Sequence, residues 1–221
     1  ADLTLTANAQ PALMAVSMAV LAVLQAEHGV TVASTAKFVG GHSLGEYSAL
    51  AAAGTFSLSD TARLLRIRGK AMQAATPLGI GAMAAILGLD FADVAAVAKD
   101  AAQGDVCQAA NDNSSGQVVL SGHKAAVDRA CELAKARGAK RAILLPVSAP
   151  FHCALMQPAA DAMAEALMNV TMNKPSVPLV ANVVAGPISD PAEIRKRLVE
   201  QVTGTVRWRE CVGFMAGQGV K

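Results

Sequence analysis

The pattern of apolar and polar positions is most regular between residues 81 and 147, where short apolar runs alternate with helical repeats. The runs predict strands at 83–87, 106–110, 117–121 and 142–147. The repeats predict helices at 91–102 and 124–137. The resulting order, β-α-β-β-α-β, is the ferredoxin-like pattern. We therefore expect residues 81–147 to form a small inserted domain, with the polar residues 111–116 as the turn between its middle strands.

The segments on either side, 1–80 and 148–221, are expected to form one larger α/β domain. Its predicted elements are a buried helix at 12–26, a helix at 60–75 after a capping box at 57–60, a buried strand at 178–184 and a charged helix at 191–202. The apolar stretch 12–26 is shorter than the roughly 20 residues of a membrane-spanning helix. Because the chain starts without a strand before its first helix and stops within a repeat, the sheet is expected to lack members at both ends.

A Gly-x-Ser-x-Gly pentapeptide stands at 41–45, between the apolar residues 38–40 and an alanine-rich helical stretch at 49–53. At so sharp a strand-to-helix turn the serine has strained backbone angles, and glycines on both sides avoid collisions with the strand and the helix. The turn exposes the Ser43 hydroxyl, and the Leu44 amide at the helix N-terminus is placed to stabilise an oxyanion. We therefore favour a nucleophile at Ser43 over a plain glycine-rich turn.

Arg68 lies on the apolar side of the predicted helix at 60–75, four residues after Leu64 and four before Met72. An unpaired charge that faces a core is costly. Three explanations stay open at this point. The side chain reaches back to solvent, it makes a structural salt bridge, or its planar fork binds the carboxylate of a ligand.

His152 is the candidate general base, because it follows a predicted strand and precedes a helix that starts near Pro158, where loops reach a cleft. An ordinary loop histidine is the alternative. The positions of His28, His42 and His123 give them weaker claims to this role. As a lightly perturbed imidazole, His152 is expected to titrate with a pKa of about 6–7.

Composition narrows the possible functions. Of 221 residues, 53% are hydrophobic and 16% charged, which allows a large core, and the net charge is only +2. No basic run or aromatic platform points to nucleic acid. The four cysteines lie far apart without Cys-x-x-Cys spacing, so we expect neither a metal site nor disulfides. The expectation is a compact enzyme of the cytoplasm that contacts neither nucleic acid nor membrane.

Four segments together resemble the malonyl-CoA:acyl-carrier-protein transacylases, a family of acyltransferases in fatty acid and polyketide synthesis. The segments are residues 41–48, 66–72, 148–153 and 206–208. They occur in the family's order and span nearly the whole chain. The resemblance implies an α/β fold with a hydrolase-like large domain, which has a parallel sheet and comprises residues 1–80 and 148–221, and a ferredoxin-like small domain at 81–147.

The resemblance also implies roles for single residues. Ser43 takes the malonyl group from CoA as an ester, and His152 moves its proton. Arg68 pairs with the free malonyl carboxylate, which selects the third of the explanations above. The backbone carbonyl of Gln201 orients the histidine in place of an acidic third member.

Two further residues are assigned to the substrate pocket by the same resemblance. His42 would line this pocket, and Phe151 is similar to the residue that malonyl-selective members often carry. The implied partners are malonyl-CoA and acyl carrier protein, whose phosphopantetheine thiol receives the malonyl group. No metal or bound cofactor is needed, and the enzyme is expected to act as a monomer.

The chain departs from the family at its start. The family has a Gly-Gln-Gly segment on its first strand, whose glutamine amide is the second oxyanion donor, and this chain begins after the expected place of that segment. Leu44 is then the one donor expected within the chain. Loss of one such donor costs about 10²–10³ in rate.

Three other functions remain alternatives to acyl transfer by a free-standing enzyme. A serine hydrolase, such as a thioesterase or lipase, would need an acid between serine and histidine, and the candidates Asp90, Asp93 and Asp128 fall in the small domain. A non-enzymatic docking module would form no covalent acyl adduct. An acyltransferase module excised from a polyketide synthase would share the chemistry proposed for Ser43.

Overall fold

The computed structural model describes residues 2–220 and begins with a short 3₁₀ helix (Asp2–Thr4), which four α-helices follow. They are α1 (Thr6–His28), α2 (Val32–Thr35), α3 (Gly45–Ala52) and α4 (Leu58–Ala74). The middle of the chain holds β1 (Gly81–Leu87), α5 (Phe91–Ala102), β2 (Cys107–Ser114), β3 (Gln117–His123), α6 (Lys124–Ala136) and β4 (Arg141–Leu144). The last part holds α7 (Gln157–Met168), β5 (Leu179–Ala181), β6 (Gly186–Ile188), α8 (Pro191–Thr203) and α9 (Trp208–Gly217). The fold is therefore of the α/β class.

Strands β1 to β4 form one antiparallel sheet in the order β2-β3-β1-β4. Alternate residues of β1 point to opposite faces, as expected for a strand. Ala84 and Ile86 pack with α5 and α6 in one apolar core, whereas Met83 packs on the other face, towards Phe151. The face of the sheet that carries Met83 therefore lies towards Phe151 and the adjacent His152.

β2 continues into the turn predicted at 111–116, and only the last two of those residues lie between strands, so that prediction is wrong for most of its length. Two register shifts against β3 mark bulges in this stretch, and bulges bend a strand and re-aim its side chains. Asp112 and Asn113 consequently find partners outside the sheet, in Arg209 and His42. Residues typical of turns here form a bulged strand.

The parallel sheet expected in the larger part of the chain is not present among the described residues. Val39 makes a single parallel bridge to Leu179, and the predicted strand at 178–184 is found only as β5. After β5 the chain turns back into β6 through Ala185, whose φ is +51°. The apolar core of this part is formed mostly between helices, and its fully buried members include Leu50, Leu65, Met163, Leu167 and Leu198.

α1 differs from the short buried helix predicted at 12–26. It has 23 residues, and Val16 and Val20 are 64% and 56% exposed. Its buried residues are Ala7, Gln10 and Met14. Within residues 2–220 it is the one helix whose length and hydropathy would allow it to cross a membrane. The prediction was wrong in length and in burial, because hydropathy does not show whether another element covers an apolar face.

α1 crosses α4 at Gly69, where the two backbones touch. A Cβ built on Gly69 would lie 2.7 Å from the Cα of Ala7. α4 starts after Ser57, whose hydroxyl accepts the Asp60 amide at 3.0 Å, which confirms the predicted N-terminal cap. Because the helices cross closely at Gly69, α1 also contacts the preceding residue of α4, Arg68, through Gln10.

Candidate active site

Ser43 lies at the turn before α3 with φ +54°, a conformation that is uncommon outside glycine. Asn182 holds this turn, since its Oδ1 accepts the Ser43 amide at 2.8 Å and its Nδ2 donates to the Gly41 carbonyl at 2.9 Å. A Cβ on Gly41 would come within 2.1 Å of the Gly45 backbone, whereas a Cβ on Gly45 would meet nothing within 4 Å. Glycine is sterically required at position 41, and the prediction that position 45 shares this requirement is wrong.

The Ser43 hydroxyl faces an imidazole. Its Oγ lies 2.7 Å from His152 Nε2, and His152 Nδ1 lies 2.8 Å from the backbone carbonyl oxygen of Gln201 in α8. Because a carbonyl can only accept, Nδ1 carries the proton and Nε2 is free to accept the serine proton. His152 has a φ of +58°, so both members of the pair are strained. The arrangement is that of a nucleophile beside a base that a carbonyl orients.

Arg68, from α4, is 1% exposed and reaches the same hydroxyl. Its Nη2 donates to Ser43 Oγ and to Gln201 Oε1, both at 2.9 Å, and its Nη1 donates to Gln10 Oε1 at 2.7 Å. Its Nε has no acceptor in the part of the chain that the structure describes. Burial contradicts the explanation that the side chain reaches solvent, and the neutral hydrogen-bond partners contradict a structural salt bridge.

The electrostatics of the site favour a neutral imidazole. Burial and, after it, the positive charge of Arg68 lower the pKa of His152 to about 3. The expectation of about 6–7 assumed a solvated ring, whereas His152 is buried. An imidazole that is unprotonated at neutral pH can act as a general base.

Two buried residues that the sequence analysis did not assign hold these groups in place. Glu46, in the first turn of α3, accepts the Asn182 backbone amide at Oε1 and Gln201 Nε2 at Oε2, both at 2.6 Å. Burial raises the pKa of Glu46 to about 8, although these bonds and the charge of Arg68 oppose the rise. Glu46 directly follows the pentapeptide, which could have drawn attention to it. Asn182 falls inside a predicted strand and gives no such signal.

His42 and Phe151, expected to line a pocket, both lie against the middle segment of the chain. His42 Nε2 is 2.8 Å from Asn113 Oδ1, and its ring meets Trp208 edge-on at 5.7 Å. Burial lowers the pKa of His42. Phe151 packs between the larger apolar core and the face of the sheet that carries Met83. Both side chains are therefore within the junction that contains Ser43.

A cleft of about 780 Å³ opens beside Ser43. Its lining includes Leu13, Met18, Leu21, Phe38, Ser43 and Leu44. The Leu44 amide has no acceptor among the described residues, so it is available to an oxyanion. Within residues 2–220 no group of three or more histidine, cysteine, aspartate or glutamate side chains could hold a metal ion.

A strained serine, an adjacent neutral base and a buried cation on an α/β fold define an enzyme of the acyl-transfer class. The family model described as Acyl transferase domain matches residues 1–217, and the chain belongs to this family. The resemblance read from the sequence is thereby confirmed.

Individual relatives carry more specific names. The chain is 50% identical over 220 residues to "Malonyl CoA-acyl carrier protein transacylase" of Escherichia coli (strain K12), covering 100% of this chain and 70% of the relative. The crystal structure of the acyl-carrier-protein-S-malonyltransferase from Bartonella henselae is 61% identical, with a TM-score of 0.96 over 99% of this chain and 69% of that one. A chain in the structure of a type II PKS acyl-carrier protein in complex with its malonyl-transacylase is 45% identical, with a TM-score of 0.94 over 99% of this chain and 69% of that one.

Proposed function

We propose that this protein transfers the malonyl group of malonyl-CoA to the phosphopantetheine thiol of acyl carrier protein in fatty acid biosynthesis. The carrying observation is the position of Ser43 Oγ between His152 Nε2 at 2.7 Å and Arg68 Nη2 at 2.9 Å. The names of the relatives, and the related complex with an acyl-carrier protein, support the choice of donor and acceptor. The four buried, unpaired cysteines fit a reducing cytoplasm.

The first half-reaction loads the serine. His152 Nε2 takes the hydroxyl proton while Ser43 Oγ attacks the thioester carbonyl carbon of malonyl-CoA. The carbonyl oxygen becomes an oxyanion, which the Leu44 amide and the positive end of α3 stabilise. The carbon–sulfur bond then breaks, His152 returns the proton to the sulfur, and CoA leaves as a thiol. Ser43 is left as a malonyl ester.

The second half-reaction repeats these steps with a different thiol. His152 takes the proton of the phosphopantetheine thiol, whose sulfur attacks the ester carbonyl carbon. The carbon–oxygen bond to Ser43 breaks, and the proton returns to the serine oxygen. Transfer prevails over hydrolysis only if water is kept from the ester while the thiol attacks.

Arg68 is proposed to bind the free carboxylate of the malonyl group. In the absence of substrate its terminal nitrogens are shared among neutral oxygens of Ser43, Gln10 and Gln201. A carboxylate accepts charge-assisted, bidentate hydrogen bonds and supplies a directly bonded counter-charge, which Arg68 does not have among the described residues. An uncharged acetyl group offers neither, so the arginine would favour malonyl substrates.

We assign residues 81–147 to a ferredoxin-like small domain, and residues 1–80 and 148–221 to a hydrolase-like large domain. The antiparallel strand order β2-β3-β1-β4 with two helices on one face supports the first assignment. A separate apolar core shared by both flanking segments supports the second. His42 and Phe151 would then line the acyl pocket where the domains meet.

A serine hydrolase is less well supported. His152 Nδ1 faces a carbonyl oxygen and not a carboxylate. The candidate acids lie on the helices of the middle segment, Asp90 and Asp93 at the start of α5 and Asp128 on α6, where Asp128 pairs with Lys124. A buried arginine beside the serine also has no evident use in the hydrolysis of a neutral ester.

Intact-mass analysis after brief incubation with malonyl-CoA tests the proposal. We expect the addition of one malonyl group, mapped by peptide analysis to Ser43, and its loss in Ser43→Ala. Ser48→Ala is the matched control, because Ser48 lines the same cleft outside the sharp turn and its loss should leave the adduct intact. A label on Cys153 would contradict the assignment of the nucleophile, and no adduct under any condition would indicate a docking module.

A further inference from the structure

Glu46 carries a buried carboxyl group that the proposed chemistry does not use. It is 1% exposed, and neither His152 nor the Ser43 hydroxyl is among its hydrogen-bond partners. A carboxyl group in such a place is costly unless its oxygens are satisfied. Each oxygen accepts one N–H at 2.6 Å, from the Asn182 backbone and from the Gln201 side chain.

Gln201 lies between Glu46 and Arg68. Its Nε2 donates to Glu46 Oε2, and to the Ser43 carbonyl at 2.9 Å, while its Oε1 accepts Arg68 Nη2 at 2.9 Å. An arginine can only donate and a carboxylate can only accept. If the amide turned over, its NH₂ group would face the guanidinium and its oxygen would face the carboxylate. When the Glu46 carboxyl is ionised, Glu46 and Arg68 therefore allow one orientation of the Gln201 amide.

We infer that Glu46 is a positioning residue for malonyl selectivity, because it holds the Gln201 amide that in turn holds the Arg68 fork beside the acyl group on Ser43. This inference rests on the proposed malonyl transfer. Glu46 itself touches neither the substrate nor the reacting atoms.

Asn182, the other hydrogen-bond partner of Glu46, depends less on the carboxyl group for its position. The Asn182 side chain has its own bonds to the Ser43 amide and the Gly41 carbonyl, and these do not involve Glu46. Loss of the carboxylate therefore acts through the Gln201 amide, both on Arg68 and on the Ser43 carbonyl, and the malonyl-to-acetyl ratio isolates the part that passes through Arg68.

The variant Glu46→Gln keeps the size of the side chain but offers one acceptor oxygen to two N–H donors. The fixed backbone amide of Asn182 takes that oxygen, so the new NH₂ group opposes Gln201 Nε2. We expect kcat/KM for malonyl-CoA to fall about 10–100-fold, the effect of losing a charged hydrogen bond. For acetyl-CoA, which does not use the arginine, the fall should be several-fold smaller. Assays at pH about 9 keep the wild-type carboxyl ionised, since burial raises its pKa to about 8.

A double-mutant cycle tests the path of the effect. Gln201→Met keeps the backbone carbonyl that orients His152 and removes the side-chain amide. It should lower the malonyl-to-acetyl ratio of kcat/KM as Glu46→Gln does, and the double variant should be no worse than either single one. Asp112→Asn is the matched control, because it alters another carboxyl group that is 1% exposed and should leave this ratio at the wild-type value.

The outcomes separate the inference from the proposed function. An equal fall for both acyl-CoAs, or additive losses in the cycle, would show that Glu46 only supports the fold and would overturn the inference. If Glu46→Gln does not fold, Glu46→Asp keeps the charge on a shorter side chain, and an unchanged ratio in that variant overturns the inference equally. Absence of malonyl transfer in the wild type would instead refute the proposed function.

Discussion

Ser43 Oγ accepts a hydrogen bond from a permanent cation and donates one to an imidazole. The cation opposes protonation of His152, so the base stays neutral until the serine proton arrives. Residues from two distant segments thus act on the hydroxyl oxygen of Ser43, which lies in a third segment.

Arg68→Ala should lower kcat/KM for malonyl-CoA by several orders of magnitude and leave acetyl-CoA transfer equal or improved. Loss of a partly desolvated, bidentate charge pair costs about 2–5 kcal/mol, but only for a substrate that carries the matching charge. Arg68→Lys keeps the charge without the fork and should recover part of the loss. Steady-state kinetics with both acyl-CoAs decide the matter, and an equal loss for the two substrates would mean that Arg68 only supports the fold.

His152 should remain unprotonated well below the pH at which a solvated imidazole titrates. Its pKa is lowered to about 3 by burial and by Arg68, so NMR of the imidazole should show the neutral ring at pH about 5. Arg68→Met should move the titration to higher pH, because the positive charge that opposes protonation of His152 is removed. Assignment by His152→Gln identifies the signal. A wild-type midpoint of about 6–7 would contradict the prediction.

The lowered pKa of His152 also makes the stability of the fold depend on pH. The unfolded chain binds a proton at His152 near the ordinary pKa of 6.5, whereas the folded chain binds it only near 3. The unfolded state therefore holds more protons between these values, and the contribution of His152 lowers the free energy of unfolding as the pH falls through that window.

At the scale of single residues, the sequence was informative where a residue breaks a pattern. Arg68 interrupts an apolar stripe and Ser43 occupies a glycine-bounded turn, and the structure places both at one point. Glu46, Asn182 and Gln10 were not found, because a buried polar residue that serves its neighbours carries no periodic signal. The roles assigned to the site residues stay predictions until the variants are measured.

At the scale of secondary-structure elements, the crossing of α1 and α4 determines where the Arg68 guanidinium lies. The backbones meet at Gly69. Gln10 of α1 accepts a hydrogen bond from Nη1 of Arg68, the residue before Gly69 in α4. The arginine can be buried because α1 closes over it and supplies an acceptor. The separation of the helices therefore sets the geometry of the guanidinium.

Gly69→Ala should destabilise the protein by about 1–3 kcal/mol, since an added methyl group would overlap the α1 backbone and force the helices apart. Its Cβ would lie 2.7 Å from both the Ala7 Cα and the Thr6 carbonyl oxygen. Gly213→Ala in α9 is the control, because a Cβ there meets nothing within 4 Å and alanine favours a helix. Urea unfolding measures both variants. Equal stability of the two would show that α1 adjusts without cost.

Elements with strong periodicity were predicted well and those shaped by tertiary contacts were not. The helix at 91–102 is found as α5 with the same bounds, because its apolar stripe and its neighbours agree on one structure. β2 was cut short in the prediction, because its bulges and the outside partners of Asp112 and Asn113 are not local properties. The burial of α1 depends on which surfaces meet it, and the sequence does not record that.

Across the whole molecule, two apolar cores are joined through the edge strand β2. The Asp112 amide donates to the Val206 carbonyl and the Val206 amide to the Ala110 carbonyl, both at 2.9 Å. Arg209 of α9 adds a charged contact to the Asp112 carboxylate, with Nε at 3.0 and 3.1 Å from its oxygens. Because Asn113 follows on the same strand and bonds His42, this joint also borders the serine turn.

Arg209→Met should lower the free energy of unfolding by about 1.5–3 kcal/mol, the cost of losing charged hydrogen bonds to a buried acceptor. The Asp112 side chain is 2% exposed, so water does not replace the lost donor, although Arg209 itself is 46% exposed. Arg63→Met is the control, because that side chain is 67% exposed in its pair with Asp60 and such exposed pairs contribute little to stability. Urea unfolding followed by circular dichroism gives both values.

Acylation of Ser43 by malonyl-CoA and by acetyl-CoA should slow by the same factor in Arg209→Met, since the joint supports the turn without contacting the acyl group. A loss confined to malonyl-CoA, or an effect no larger than that of Arg63→Met, would show that β2 does not connect the two cores in the way described.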